Sequence, residues 1–262
     1  MNTNRQAAVI KRGQAPHTHR KESKMKITGS KLIRWAGLAA MGAGIIFAGI
    51  QPIHPPDVVS SVTTGAWAII TSLKTVMCLL LLLGIAGIYA RQVKEAGWLG
   101  LAGFLLFGLG WALTTAFVFV ETVIMPPLAS VAPKFVDGFL GVAASRASEV
   151  DLGAIPTLWI IAGILYMLGG LLFGIATFRA GILPRWAAGL LAVTAALTPL
   201  AALLPHEIQR LAAMPMGLAL ACLGYALWSE RRAQAADPDD GVLTGVDQSA
   251  VVPSNGRVPS KV

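Results

Sequence analysis

The chain of 262 residues is 55% hydrophobic and only 13% charged, against roughly a quarter charged in an average soluble domain. With a mean hydropathy of +0.66, it has too little polar surface to enclose a water-facing core of this size, which excludes an ordinary soluble protein. The net charge of +8 excludes less: Met1 to Arg34 holds nine basic residues and one acid, so the whole excess lies at or before the start of the first apolar run. Basic residues confined to one tail, without interleaved aromatics, indicate membrane orientation and no nucleic-acid partner.

Residues 1–31 read as a basic, disordered cytoplasmic tail. The apolar run that follows, 32–53, is longer than the roughly 7–15 apolar residues of a cleaved secretory signal and is expected to be retained. Met25-Lys-Ile-Thr-Gly-Ser-Lys-Leu-Ile-Arg-Trp would itself make a start, so residues 1–24 are either a disordered extension or untranslated. About 20 apolar residues cross about 30 Å of hydrocarbon as a helix. Six segments satisfy this, at 32–53, 66–90, 97–123, 155–178, 186–204 and 211–228. The expected fold is all-α, a polytopic bundle of six transmembrane helices whose immediate partner is the lipid bilayer.

Lys and Arg sort by side. Seventeen fall in the N-terminal tail, the second and fourth connectors and the C-terminal tail, while only Lys134, Arg146 and Arg210 fall on the opposite side; Lys74, inside a span, is the last. Both termini are therefore expected in the cytoplasm. Trp35, Trp98 and Trp186 open the outward-going segments, and Tyr89 and Trp228 close inward-going ones, as interfacial anchors do.

Pro126 and Pro127 are expected to stop the third segment. Val131 to Ala147 then sets Phe135, Phe139 and Val142 on one face, the pattern of a short amphipathic helix on the outer surface. Residues 229–262, rich in Asp, Pro, Gly and Ser beyond Ala233, read as a disordered cytoplasmic tail. Small residues repeat every fourth position at Ala40, Gly44 and Ala48, at Gly170 and Gly174, and at Ala213, Gly217 and Ala221. Such faces let helices approach closely, within the bundle, in a homo-oligomer or against a partner membrane protein.

Arg34-Trp-Ala-Gly-Leu-Ala and Arg185-Trp-Ala-Ala-Gly-Leu-Leu begin alike, and each reaches a Pro/His element about 20 residues later. An ancestral hairpin repeat and plain interface chemistry both produce that likeness. The stretch Gly174-Ile-Ala-Thr-Phe-Arg-Ala-Gly-Ile-Leu-Pro-Arg-Trp-Ala-Ala-Gly-Leu-Leu resembles a connector in a broad group of uncharacterised bacterial multi-pass membrane proteins. The resemblance implies a bacterial cytoplasmic (inner) membrane and carries no substrate.

Ionisable groups within spans are costly and are candidate functional groups for that reason. Lys74 lies about 10 Å beyond Trp67, taken as an outer-interface marker, and Glu121 about 34 Å along its segment from Trp98. His54 and His206 end their segments about 28 and 30 Å from Trp35 and Trp186. All four belong to the outer half of the bilayer. Thr71, Thr75 and Cys78 line a stripe with Lys74, and Thr114 shares a face with Glu121. The candidate polar site is thus Lys74, Glu121, His54, His206, Thr71 and Thr114, with a Lys74–Glu121 ion pair at its centre.

His54, His206, Asp57 and Glu207 also permit an outer-face metal or proton-transfer site, but no HExxH or HxxxH spacing supports it. Cys78 and Cys222 sit in apolar runs as small hydrophobes. Neither a nucleotide-binding loop nor a GxSxG nucleophile is present, and no cofactor is assigned. The expected role is a non-enzymatic permease-like or accessory membrane component; the rival is a membrane enzyme or metal-binding protein using His54, Glu121 and His206. An assembly factor acting through the small-residue faces is a third reading.

Overall fold

The structure is a computed structural model that describes residues 28–201 and 203–236, with the side chains at 206, 207 and 231–236 outside the described residues. The expected tails at 1–31 and 229–262 therefore lie largely outside them. Every described element is helical. Helix α1 (Gly29–Ile50) starts where the Thr28 hydroxyl accepts the Lys31 N–H at 3.4 Å, a side-chain N-cap. A short α2 (Val59–Val62) leads into α3 (Gly65–Phe119), capped likewise by Thr64, which accepts the Trp67 N–H at 3.2 Å.

Among the described residues four helical stretches are long and apolar enough to cross a membrane: Gly29–Ile53, Gly65–Val131, Ile155–Ala180 and Ile208–Glu230. The second has 67 residues and would measure about 100 Å if straight. It bends sharply instead. Gln92 (φ −125°, ψ 18°) and Gly97 (φ 56°, ψ −155°) leave helical geometry, and Gly97 adopts its positive φ freely because it has no Cβ. The arms 65–91 and 98–119 fold back on each other. Tyr89 stacks on Phe104 with ring centroids 4.6 Å apart, whereas a straight helix would separate them by about 22 Å. The single long helix is thus a hairpin carrying the segments expected at 66–90 and 97–123.

The prolines act differently from expectation. Pro126 and Pro127 lack the N–H groups that Thr122 and Val123 carbonyls would accept in an α-helix, and their rings crowd those carbonyls. The chain answers with a π-helical turn, Val120–Ile124, in which the Met125 N–H bonds to the Val120 carbonyl. A further helix, α4 (Met125–Val131), then places both prolines in its first turn, where no intrahelical donor is needed. The helix continues past the prolines and ends at Val131.

Helix α5 (Pro133–Ala143) falls within the expected 131–147 pattern and is shorter because Ser145 adopts φ 54° and the Arg146 N–H bonds the Gly141 carbonyl; its buried face is turned from the expected Phe135, Phe139 and Val142, of which only Phe139 is buried. It buries Val136, Phe139 and Leu140 against Trp67, Phe117 and Met125. Helix α6 (Ile155–Ala180) ends at Gly181 in the left-handed conformation.

The continuous helix expected over 186–204 is corrected by the structure. Helix α7 (Arg185–Ala196) has 12 residues, about 18 Å of rise. It is followed by α8 (Thr198–Ala201) and α9 (His206–Ala212). Pro199 removes the N–H that the Ala195 carbonyl would accept, so the chain breaks at Leu197. Helix α10 (Met214–Ala236) runs beyond Trp228, where the last segment was expected to end.

The small-residue faces are consumed inside the chain. A methyl at Gly44 would stand 2.4 Å from the Ala221 backbone nitrogen, and one at Gly217 2.8 Å from that of Ala48, so α1 and α10 touch along their backbones. One at Gly174 would meet the Ala192 nitrogen of α7 at 2.6 Å. Ile85, Phe107, Phe173, Leu191 and Leu220 fill the centre between these helices.

The bundle has two distinct ends. At one, Arg91 is paired with Glu230, its Nε donating to Oε2 at 3.1 Å. There too the Arg34 guanidinium lies 5.9 Å from the Trp228 ring and Gln92 Nε2 donates to Thr177 Oγ1 at 2.6 Å. Trp35, Trp98 and Trp186, which open α1, the second arm of α3 and α7, are 69%, 85% and 60% exposed. The connectors expected on one side of the membrane thus share one end, and the candidate residues lie at the other.

Candidate functional site

The π-helical turn forced by the two prolines carries Glu121 toward the first arm of α3. There Lys74 donates through Nζ to Glu121 Oε2, with both side chains about five-sixths buried. Two further bonds hold the arms in register. The Trp67 indole N–H donates to the Glu121 carbonyl at 3.2 Å, and the Thr75 and Thr122 hydroxyls meet at 3.0 Å.

His54 approaches from the proline-rich turn after α1. Its Nδ1 lies 2.7 Å from the Pro55 carbonyl oxygen, and a carbonyl can only accept, so Nδ1 carries the proton. Nε2 then presents its lone pair to Lys74 Nζ at 3.4 Å. Burial, with the Lys74 ammonium second, pushes the imidazole down from 6.5 to about 4, so it is neutral near pH 7.

Arg210 of α9 completes the set. Its guanidinium donates to Asp57 Oδ2 at 2.5 Å and, through the other nitrogen, to the Pro55 and His54 carbonyls at 3.3 and 3.4 Å. Asp57 Oδ1 lies 3.9 Å from His54 Nδ1. Glu121, Lys74, His54, Asp57 and Arg210 therefore form an unbroken chain of polar contacts. Two cations and two anions balance around a neutral imidazole, the form in which buried charge is tolerable.

This chain borders a cavity of about 1000 Å³. Lys74, His54, Asp57, Glu121, Arg210 and Thr114 are among its polar residues, with Gln51, Thr194, Thr198 and Gln209 adding amide and hydroxyl groups, while Met77, Trp111, Tyr166, Leu197, Leu200 and Met216 are among those that make most of the wall apolar. Trp111 and Tyr166 pack edge to face at 5.6 Å, and Trp111 meets Phe47 similarly at 5.7 Å. The Trp111 indole N–H is buried with no acceptor among the described residues.

Of the expected site residues, Lys74, Glu121, His54 and Thr114 come together on this cavity. Thr71 does not line it: fully buried, it donates back to the Trp67 carbonyl at 2.9 Å. The side chain of His206 lies outside the described residues. Trp67, taken as an interface marker, is 0% exposed, because its indole spans the hairpin and closes on Glu121. Arg210, Trp111 and Tyr166 escaped the sequence reading. Arg210 had a faint signal as one of three basic residues on the sparsely charged side; the two aromatics had none, being apolar residues in apolar runs.

Among the described residues no group of three His, Cys, Asp or Glu side chains could hold a metal ion. Comparison with protein families, curated proteins and solved structures gave no match for this chain.

Proposed function

We propose that this protein is a six-pass membrane component of the permease-like or accessory kind, working through a polar site in the outer half of the bundle. The observation that carries this reading is the convergence of Lys74, Glu121, His54, Asp57 and Arg210 on one cavity of about 1000 Å³. Ionisable side chains at membrane depth are rare outside ligand or ion paths, and a cavity beside them gives a ligand somewhere to sit.

In this reading α1, both arms of α3, α6, the broken α7–α8 segment and α10 make the six crossings. The end carrying Arg91 and Glu230 faces the cytoplasm of a bacterium, following the 17-to-three distribution of basic residues. The metal or enzyme alternative through His54, Glu121 and His206 fits less well. The Lys74 ammonium lies against both His54 Nε2 and Glu121 Oε2, where a metal cation would meet its repulsion.

The test is accessibility of the cavity wall. In a background with Cys78 and Cys222 replaced by Ala, a Thr114→Cys variant is expected to react with a small membrane-impermeant thiol reagent added outside, and not with the same reagent inside. A thiol unreactive from both faces would remove the permease-like reading.

A further inference from the structure

The ligand class follows from the shape and charge of that cavity, and this step rests on the reading just given. Glu121 and Trp111 are both on the second-arm side of the hairpin, ten positions apart in sequence, about 15 Å along the axis. Trp111, Tyr166 and Phe47 pack together and line the cavity at that depth. Half of a hydrocarbon core of about 30 Å is also about 15 Å, so the cavity reaches as deep as one leaflet.

Its walls decide between water and chain. About 30 water molecules would be needed to fill 1000 Å³, and those against the Met, Leu and aromatic side chains could bond only to one another. An apolar chain is the better occupant. The rim decides the head. Lys74 is already paired with Glu121 and Arg210 with Asp57, so a net charge on the ligand would find no counter-charge left over. A head with no net charge meets donors and acceptors of both signs.

We propose that the cavity holds a single amphiphilic molecule with an uncharged or zwitterionic head, seated at Lys74, His54 and Arg210 with its chain running down to Trp111 and Met216.

The experiment uses the full chain in nanodiscs and a palmitoyl lysophosphatidylcholine bearing a diazirine near the chain end. Adducts are expected on peptides containing Met77, Trp111 or Met216, and unlabelled lysophosphatidylcholine should compete them away. Removing both charges of the central pair, Lys74→Met with Glu121→Gln, should weaken this labelling about tenfold, the worth of one charge-assisted hydrogen bond. If that double variant does not fold, Thr114→Met fills the wall without touching a charge and should lower labelling of the same peptides.

Adducts confined to outward-facing residues such as Ile69, Leu83 or Leu105 overturn the proposal, as does stronger cavity labelling by the diazirine analogue of hexadecanoate, whose head is anionic. Thr114→Cys reactivity separates the two failures. A reactive thiol with no cavity adduct keeps the permease-like reading and rejects the amphiphile; an unreactive thiol with no adduct rejects both.

Discussion

Lys74 and Glu121 are in direct contact across the α3 hairpin, although a straight helix would hold them about 70 Å apart. The bend at Gln92 and Gly97 makes the contact possible, and the π-helical turn before Pro126 sets Glu121 at its level. Breaking one member leaves the other charged and largely dehydrated. Lys74→Met and Glu121→Gln should each cost about 3–5 kcal/mol, while the double variant should cost much less than their sum. Thermal unfolding in detergent reads this directly; additive losses would mean the two groups do not interact.

His54 makes stability depend on pH. Its imidazole titrates near 4 when folded and near 6.5 when not, so the unfolded chain binds the extra proton first. The contribution of the neutral ring is complete above about pH 6.5 and is lost as the pH falls toward 4, by at most about 3 kcal/mol. The melting temperature should fall on acidification through that window, and a His54→Gln variant should flatten this part of the profile. An identical slope in both proteins would exclude His54 as the titrating group.

Helix packing predicts a contrast between glycines. A methyl at Gly44 meets backbone of α10 at 2.4 Å, whereas one at Gly163 meets nothing within 4 Å. Gly44→Ala should lower stability by about 1–3 kcal/mol. Gly163→Ala, in a helix interior where alanine is the better former, should be neutral or slightly stabilising.

Orientation is open to the same thiol chemistry. In the background lacking Cys78 and Cys222, Lys94→Cys should react from the cytoplasmic side and Lys134→Cys from the opposite one. Reaction of both from a single side would overturn the arrangement of crossings.

Two kinds of knowledge separate here. Composition and the run of apolar segments sufficed for an all-helical chain able to enter a membrane, because a helix satisfies its own backbone locally and its length is read along the sequence. They also singled out Lys74, Glu121, His54 and Thr114, since a polar side chain in an apolar run is conspicuous without any knowledge of its neighbours. What depends on the path of the chain was not legible. The break of the 186–204 segment and the survival of helix past Pro126 both turn on how individual carbonyls find donors. Arg210 joins the site only because α9 folds over the turn that follows α1, and Trp67 leaves the interface only because the hairpin closes around it. The sequence by itself determined which polar groups stand out in apolar helices; only the tertiary structure decided which of them meet, because pairing across helices is a matter of distance in space and not along the chain.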